Sequence, residues 1–138
     1  MYETPRRRVQ FVIASDALTP EDIISSIEIT PDRTAWKGLV PPDSMLRYPR
    51  PARDHSWEIR ETGGVDTPVP VLLDAVLVRV APAAQRIGEL RARGCRVILS
   101  VVLYTSPADP VGPGFALTWD QIKLLGACGA DFEVDQYL

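Results

Sequence analysis

Arg7–Ile27 reads RRVQFVIASDALTPEDIISSI, and its two halves follow different periods. Over Arg7–Ser15 the apolar Val9, Phe11 and Ile13 recur every second residue, the pattern of a strand with one face in a core. Thr19-Pro20-Glu21-Asp22 then makes a helix start. Thr19 is the cap, Pro20 takes the first helical position, and the two acids suit the helix's positive end. Ile23, Ile24 and Ile27 give that helix a short apolar face. A strand followed at once by a capped helix opens a βα unit, against which the remaining chain can be laid.

Glu28–Trp36 is expected to return as a strand, bent or interrupted at Thr30-Pro31-Asp32. Gly38–Asp54 carries Pro41, Pro42, Pro49 and Pro51 without periodicity and reads as a loop. His55–Glu61 is the next strand, with His55, Trp57 and Ile59 on one face and Ser56, Glu58 and Arg60 on the other. Thr62-Gly63-Gly64-Val65-Asp66 is a turn. Thr67–Arg93 reads as helix broken once, at Pro82, and stopped at Gly94. Its buried side is Leu72, Leu73, Val76, Leu77 and Val80, continued by Ala83, Ile87 and Leu90.

Arg96–Tyr104 is β-branched on both faces, which predicts a central, covered strand. Thr105–Gly114 is a second Pro/Gly loop. Thr118 and Gln121 form a capping box, and Leu117 and Ile122 have the spacing of a hydrophobic staple. Gly129 ends that helix. Ala130–Leu138 (ADFEVDQYL) then alternates: Asp131, Glu133, Asp135 and Tyr137 on one side, Phe132, Val134, Gln136 and Leu138 on the other. This predicts a half-buried strand with an acidic stripe on its open side.

The first six elements match the split βαβ order of ferredoxin-like folds, with a helix–strand unit added. The expected fold is an α+β two-layer sandwich: a mixed or antiparallel sheet of about five strands with helices on one face, residues 1–138 forming one domain.

With 46% apolar and 24% charged residues, the composition is that of a globular protein rather than a disordered one. A net charge of −3 argues against a nucleic-acid partner. The N-terminal apolar run Phe11-Val12-Ile13-Ala14 is too short for a signal peptide. Val69–Val80 contains Pro70, Asp74 and Arg79 and is not a membrane span. A cytoplasmic location with no membrane contact is therefore expected. Cys95 and Cys128 read as buried reduced thiols, belonging to no CxxC pair and to no helix N-terminus. No phosphate-cradling glycine loop or nucleophile elbow is present, and no cofactor is implied.

Several segments together resemble a bacterial family known as domain of unknown function 4279. They are Ile13-Ala14-Ser15 with Leu18–Ile23, Ile27–Asp32, Trp36-Lys37-Gly38, Ser56–Ile59, Gly126–Asp131 and the Asp135…Tyr137 ending. These are mostly caps, turns and core positions, so the resemblance implies a fold. It also implies a small bacterial cytosolic protein, and carries no catalytic motif. Some small bacterial domains of this kind are immunity proteins that neutralise a toxin, an analogy of fold class only.

Two candidate binding regions stand out. The Gly38–Asp54 loop places Arg47, Arg50 and Arg53 beside Met45, Leu46 and Tyr48, residue types frequent in interface cores. The stripe Asp131, Glu133 and Asp135 reads as a charged face. It has three candidate roles: pairing with Arg7 or Arg8 if the first strand is its neighbour, guarding an edge strand, or meeting a basic partner. Three acids on one strand do not by themselves converge on a cation. His55 is the only histidine, and Trp36 and Trp119 read as core more readily than as groove. The leading expectation is a non-enzymatic protein-binding module, an immunity protein being one form, with the oligomeric state open. The alternatives are a small metal-dependent hydrolase using Asp131, Glu133, Asp135 and His55, and a ligand-binding domain with its pocket between Leu72–Val80 and the sheet.

Overall fold

The computed structural model describes residues 7–105, 107 and 114–137. Arg6, Leu138 and most of the Thr105–Gly114 loop, Gly112-Pro113 included, lie outside them. The described elements run β1 (Arg7–Ser15), α1 (Pro20–Ile27), β2 (Arg33–Ala35), β3 (His55–Gly63), α2 (Val69–Val80), a 3-10 turn (Ala81–Ala83), α3 (Ala84–Ala92), β4 (Arg96–Tyr104), α4 (Trp119–Cys128) and β5 (Asp131–Tyr137).

The strands form one sheet in the order β2-β3-β1-β4-β5. β1 runs antiparallel to β3 and β4, β2 antiparallel to β3, and β5 parallel to β4. The first four strands thus have the ferredoxin-like order, and α4 returns the chain to add β5 beside β4. The expected α+β architecture stands, with a mixed sheet.

One face of the sheet carries the core. Val9, Phe11 and Ile13 of β1, Trp57 and Ile59 of β3, and Val97, Leu99 and Val101 of β4 are all fully buried there. Against them pack Ile23 and Ile27 of α1, Leu73, Val76 and Val80 of α2, and Ile87 of α3. The α2–sheet interface expected as an alternative ligand pocket is therefore filled with side chains. No helix among the described residues is long and apolar enough to cross a membrane.

Local chemistry explains the boundaries. Thr19 Oγ1 accepts from the Asp22 amide, while Asp22 accepts from the Thr19 amide, closing a capping box at α1. Thr118 and Gln121 do the same for α4, which Gly129 ends at φ 65°. Leu117 packs on the core, whereas Ile122 is exposed, so only half of the expected staple is covered.

Three expectations need correction. β2 is only Arg33–Ala35, because Glu28 ends α1 in the left-handed region and the approach is held by Asp32 rather than by a ladder. β3 runs on through Thr62 and Gly63, residues expected in the turn. β5 is not half-buried: Phe132 is 40% and Val134 46% exposed, because the last strand of the sheet extends beyond the helices' cover.

Asp32 ties three elements together. Arg79 of α2 donates to its two carboxylate oxygens at 2.7 and 3.2 Å, and the Arg60 amide of β3 donates at 2.9 Å. Arg79 holds the Asp32 carboxyl below its ordinary pKa. Hydrogen bonds lower Asp22, Asp16 and Asp43 likewise, to Thr19, Lys37 and Arg33 respectively. A carboxyl with a folded pKa below its unfolded value of about 3.9 adds stability above that value and gives it up as pH falls through the folded one. Urea midpoints should therefore be steady down to about pH 4.5 and fall below about pH 4. With both partners about a third exposed, Asp32→Asn should cost about 1 kcal/mol at neutral pH and weaken the acid dependence. An acid limb unchanged in the variant would remove Asp32 from the account.

Candidate functional site

Among the described residues, the sheet's other face carries no helix, and its side chains follow from the register. From β1 come Arg8, Gln10, Val12 and Ala14; from β3, Ser56, Glu58, Arg60 and Thr62; from β4, Ile98, Ser100, Val102 and Tyr104. β5 adds Asp131, Glu133, Asp135 and Tyr137. Arginines lie toward the β2 end and carboxylates along the β5 end. β2 and β5 are four strand spacings apart, roughly 19 Å.

The Gly38–Asp54 loop closes over the arginine end. Its base is pinched by Gly38 N–H donating to Ala52 O and Ala52 N–H donating to Leu39 O, both at 2.9 Å. Gly38 has φ 85°, a conformation that suits glycine where the loop leaves the sheet. Lys37 pairs with Asp16 and Asp54 with Arg96, fastening both loop ends to the core strands. Ends held close over an irregular body are the mark of an Ω-loop. Asp43 pairs with Arg33 and pulls the loop's middle toward β2.

Beneath that loop lies a cavity of about 520 Å³. Arg8, Arg33 and Arg60 come from three adjacent strands, and Arg50, Met45 and Leu46 come from the loop. Arg60 Nε donates to Glu58 at 2.6 Å, and Arg33 approaches the same carboxylate at 3.6 Å. Asp43 raises the Arg33 pKa further, so that charge is fixed. Arg8 Nε is buried without a hydrogen-bond partner among the described residues, as is the Oε1 of its neighbour Gln10. A second groove of about 370 Å³ lies across the loop between Leu46, Arg47, Tyr48 and Arg50. There the Arg47 guanidinium stands 5.6 Å from the Tyr48 ring centre, and Tyr48 is 75% and Met45 97% exposed.

The loop residues singled out from the sequence thus sit together, with Arg50 lining both depressions. Arg53 is exposed on the loop's return. Sequence reasoning did not bring Arg8, Arg33 and Arg60 to this place. The outward period-two position of Arg8 and Arg60 was the available signal; their adjacency needed the register.

The acidic stripe has different neighbours from those expected. β4 separates β5 from β1, so neither Arg7 nor Arg8 is the adjacent strand residue. Arg7 lies on the helix side and donates to Thr67 O at 2.6 Å. Asp131 meets Arg91 of α3 at 3.5 Å, and Glu133 accepts from the Ser100 hydroxyl at 2.7 Å. β5 is an edge strand, where charges hinder pairing with another chain.

His55 lies on β3, three strands away, with its Nδ1 accepting from the Lys37 amide at 3.0 Å and its ring edge-on to Trp36. No three His, Cys, Asp or Glu side chains among the described residues are grouped to hold a metal. The hydrolase arrangement of Asp131, Glu133, Asp135 and His55 is therefore not assembled. Burial pushes the Cys128 thiol up to about 11, which keeps it protonated and a poor nucleophile. Trp119 is not core: it is 71% exposed, with Lys123 Nζ 5.9 Å from its ring centre.

A family model described as domain of unknown function (DUF4279) matches residues 4–138. No curated protein and no solved structure matches the chain.

Proposed function

We propose a function from one premise: this chain belongs to the DUF4279 family. The function is that of a non-enzymatic protein-binding module whose contact surface is the Ω-loop and the open sheet face beside it. The observation that supports it is the loop itself. Leu39, Met45, Leu46 and Tyr48 are exposed on a body whose base is fixed to the sheet. Apolar residues gathered on a surface rimmed by arginines suit a protein contact, and a loop held at both ends loses less freedom on docking. The acidic β5 edge supplies the opposite charge at the far side of the same face, which would orient a partner with a basic region. A toxin neutralised by steric cover is one such partner.

The test is site-specific photo-crosslinking in the native host. A benzoylphenylalanine at position 48 should trap one defined protein. The same probe at Val78, exposed on α2, should not trap it. A position-independent ladder, or no adduct, would overturn the reading. If the partner is the product of an adjacent gene and is toxic alone, the immunity form gains its support; a non-toxic partner removes that form. Tyr48→Ala should change folding stability by less than about 0.5 kcal/mol, since the side chain is exposed, yet weaken the complex by about 2 kcal/mol. A stability loss above about 2 kcal/mol in urea would instead make Tyr48 a structural residue.

A further inference from the structure

We propose that the cavity under the Ω-loop binds a phosphate monoester, with the phosphoryl group on the arginines of the sheet and a short apolar body beneath Met45 and Leu46. The proposal goes beyond the protein-docking reading and stands without it. Four guanidiniums line the space: Arg8 from β1, Arg33 from β2, Arg60 from β3 and Arg50 from the loop. Arg8 lies opposite Thr62, and Arg60 opposite Gln10, so the two are diagonal neighbours on one face of adjacent strands. Diagonal pairs stand about 7–8 Å apart at the backbone, close enough for two long side chains to hold one anion between them.

The charge balance selects the ligand. Among the described residues, two acids pair with this set, Asp43 with Arg33 and Glu58 with Arg60 and, farther off, Arg33, and they neutralise half of its positive charge. Two charges remain, in a protein whose net charge is −3. A phosphate monoester near neutral pH carries about −1.5 to −2, whereas a carboxylate carries half of that. Guanidinium forks also match phosphate oxygens in paired hydrogen bonds.

Arg8 differs from the other three. Its Nε–H is buried and meets no acceptor among the described residues. Burying such a donor, on a charged group, opposes folding unless an acceptor faces it. Arg8 is nevertheless among the residues that line the cavity, so an anion there would meet the accessible part of its side chain. The volume, about 520 Å³, is that of a small-molecule site.

The experiment is isothermal titration of the full chain at low salt with hexyl phosphate, inorganic phosphate and hexanoate. Hexyl phosphate should bind most tightly, inorganic phosphate more weakly for want of the apolar body, and hexanoate least. Affinity for hexyl phosphate should rise between about pH 5 and about pH 7.5, as the monoester takes its second charge near pH 6. Arg8→Met should weaken binding at least about tenfold while leaving the ligand-free melting temperature equal or higher. Arg50→Ala, on the loop, should weaken it with no change in melting. Arg86→Ala, on the opposite layer and paired with Glu28, should bind as the parent does. Hexanoate binding as tightly as hexyl phosphate would overturn the dianion assignment. The whole proposal fails if hexyl phosphate gives no heat, or if Arg8→Met and Arg50→Ala bind it as Arg86→Ala does.

Discussion

Trp57→Ala should cost about 4 kcal/mol of folding free energy, a large part of the 5–15 kcal/mol typical of a domain. Trp57 is fully buried near the start of β3, opposite Ile13 of β1 and Thr34 of β2. It lies on the face that α1 and α2 cover. Removing the indole leaves a cavity bordered by strands that cannot collapse without breaking their ladders. Its Nε1–H also donates to Ile29 O at 3.0 Å, across the connection from α1 to β2. Alanine leaves that carbonyl without its partner. Trp57→Phe separates the two contributions: it keeps most of the volume and loses the hydrogen bond, and should cost about 1–2 kcal/mol. Urea denaturation at neutral pH measures both. A loss below about 1 kcal/mol for Trp57→Ala would mean that the core does not rest on this side chain.

The strand that carries Trp57 was legible because its chemistry is local. Alternation placed His55, Trp57 and Ile59 on one side whatever the rest of the chain does. β1 was readable for the same reason, β4 from its β-branched residues on both faces, and α1 and α4 from caps written within four residues of each start. Failures came where a neighbour decides. Phe132 and Val134 alternate with acids like core residues, yet alternation only says that the two faces differ. Whether a helix covers one of them depends on where α4 lies, which is a tertiary fact. Trp119 failed likewise: its size argues for burial, but it stands exposed in the first turn of α4. The loop's bounds were readable from its prolines and its lack of period. Its role as the roof of a cavity was not, because Arg8, Arg33, Arg50 and Arg60 are separated by tens of residues and meet only through strand pairing and the Asp43–Arg33 contact. Non-local convergence of this kind leaves no periodic trace in one sequence.

Gly88 is another position where local rules mislead, and its substitution should have the second-largest effect. Within a helix, alanine is favoured over glycine by about 1 kcal/mol, so Gly88→Ala in α3 would ordinarily stabilise. Here a methyl group at residue 88 would stand 2.5 Å from the Ala127 carbonyl oxygen of α4. That atom is helix backbone and cannot swing aside, so the two helices must separate. Overpacking of this kind costs about 1–3 kcal/mol, and a net loss of up to about 2 kcal/mol is expected after the propensity gain. α4 carries the chain into β5, so the strain should also loosen the acidic edge and speed amide exchange across β5 before the rest of the sheet. Gly126→Ala supplies the opposite sign on the facing helix. It is exposed, nothing lies within 4 Å of its added carbon, and a gain of about 0.5–1 kcal/mol is expected. Two glycine-to-alanine changes on one helix pair should thus move the urea midpoint in opposite directions. If both raise it, α3 and α4 do not approach as closely as the Gly88–Ala127 contact requires, and the placement of β5 against β4 loses its main support from the helix layer.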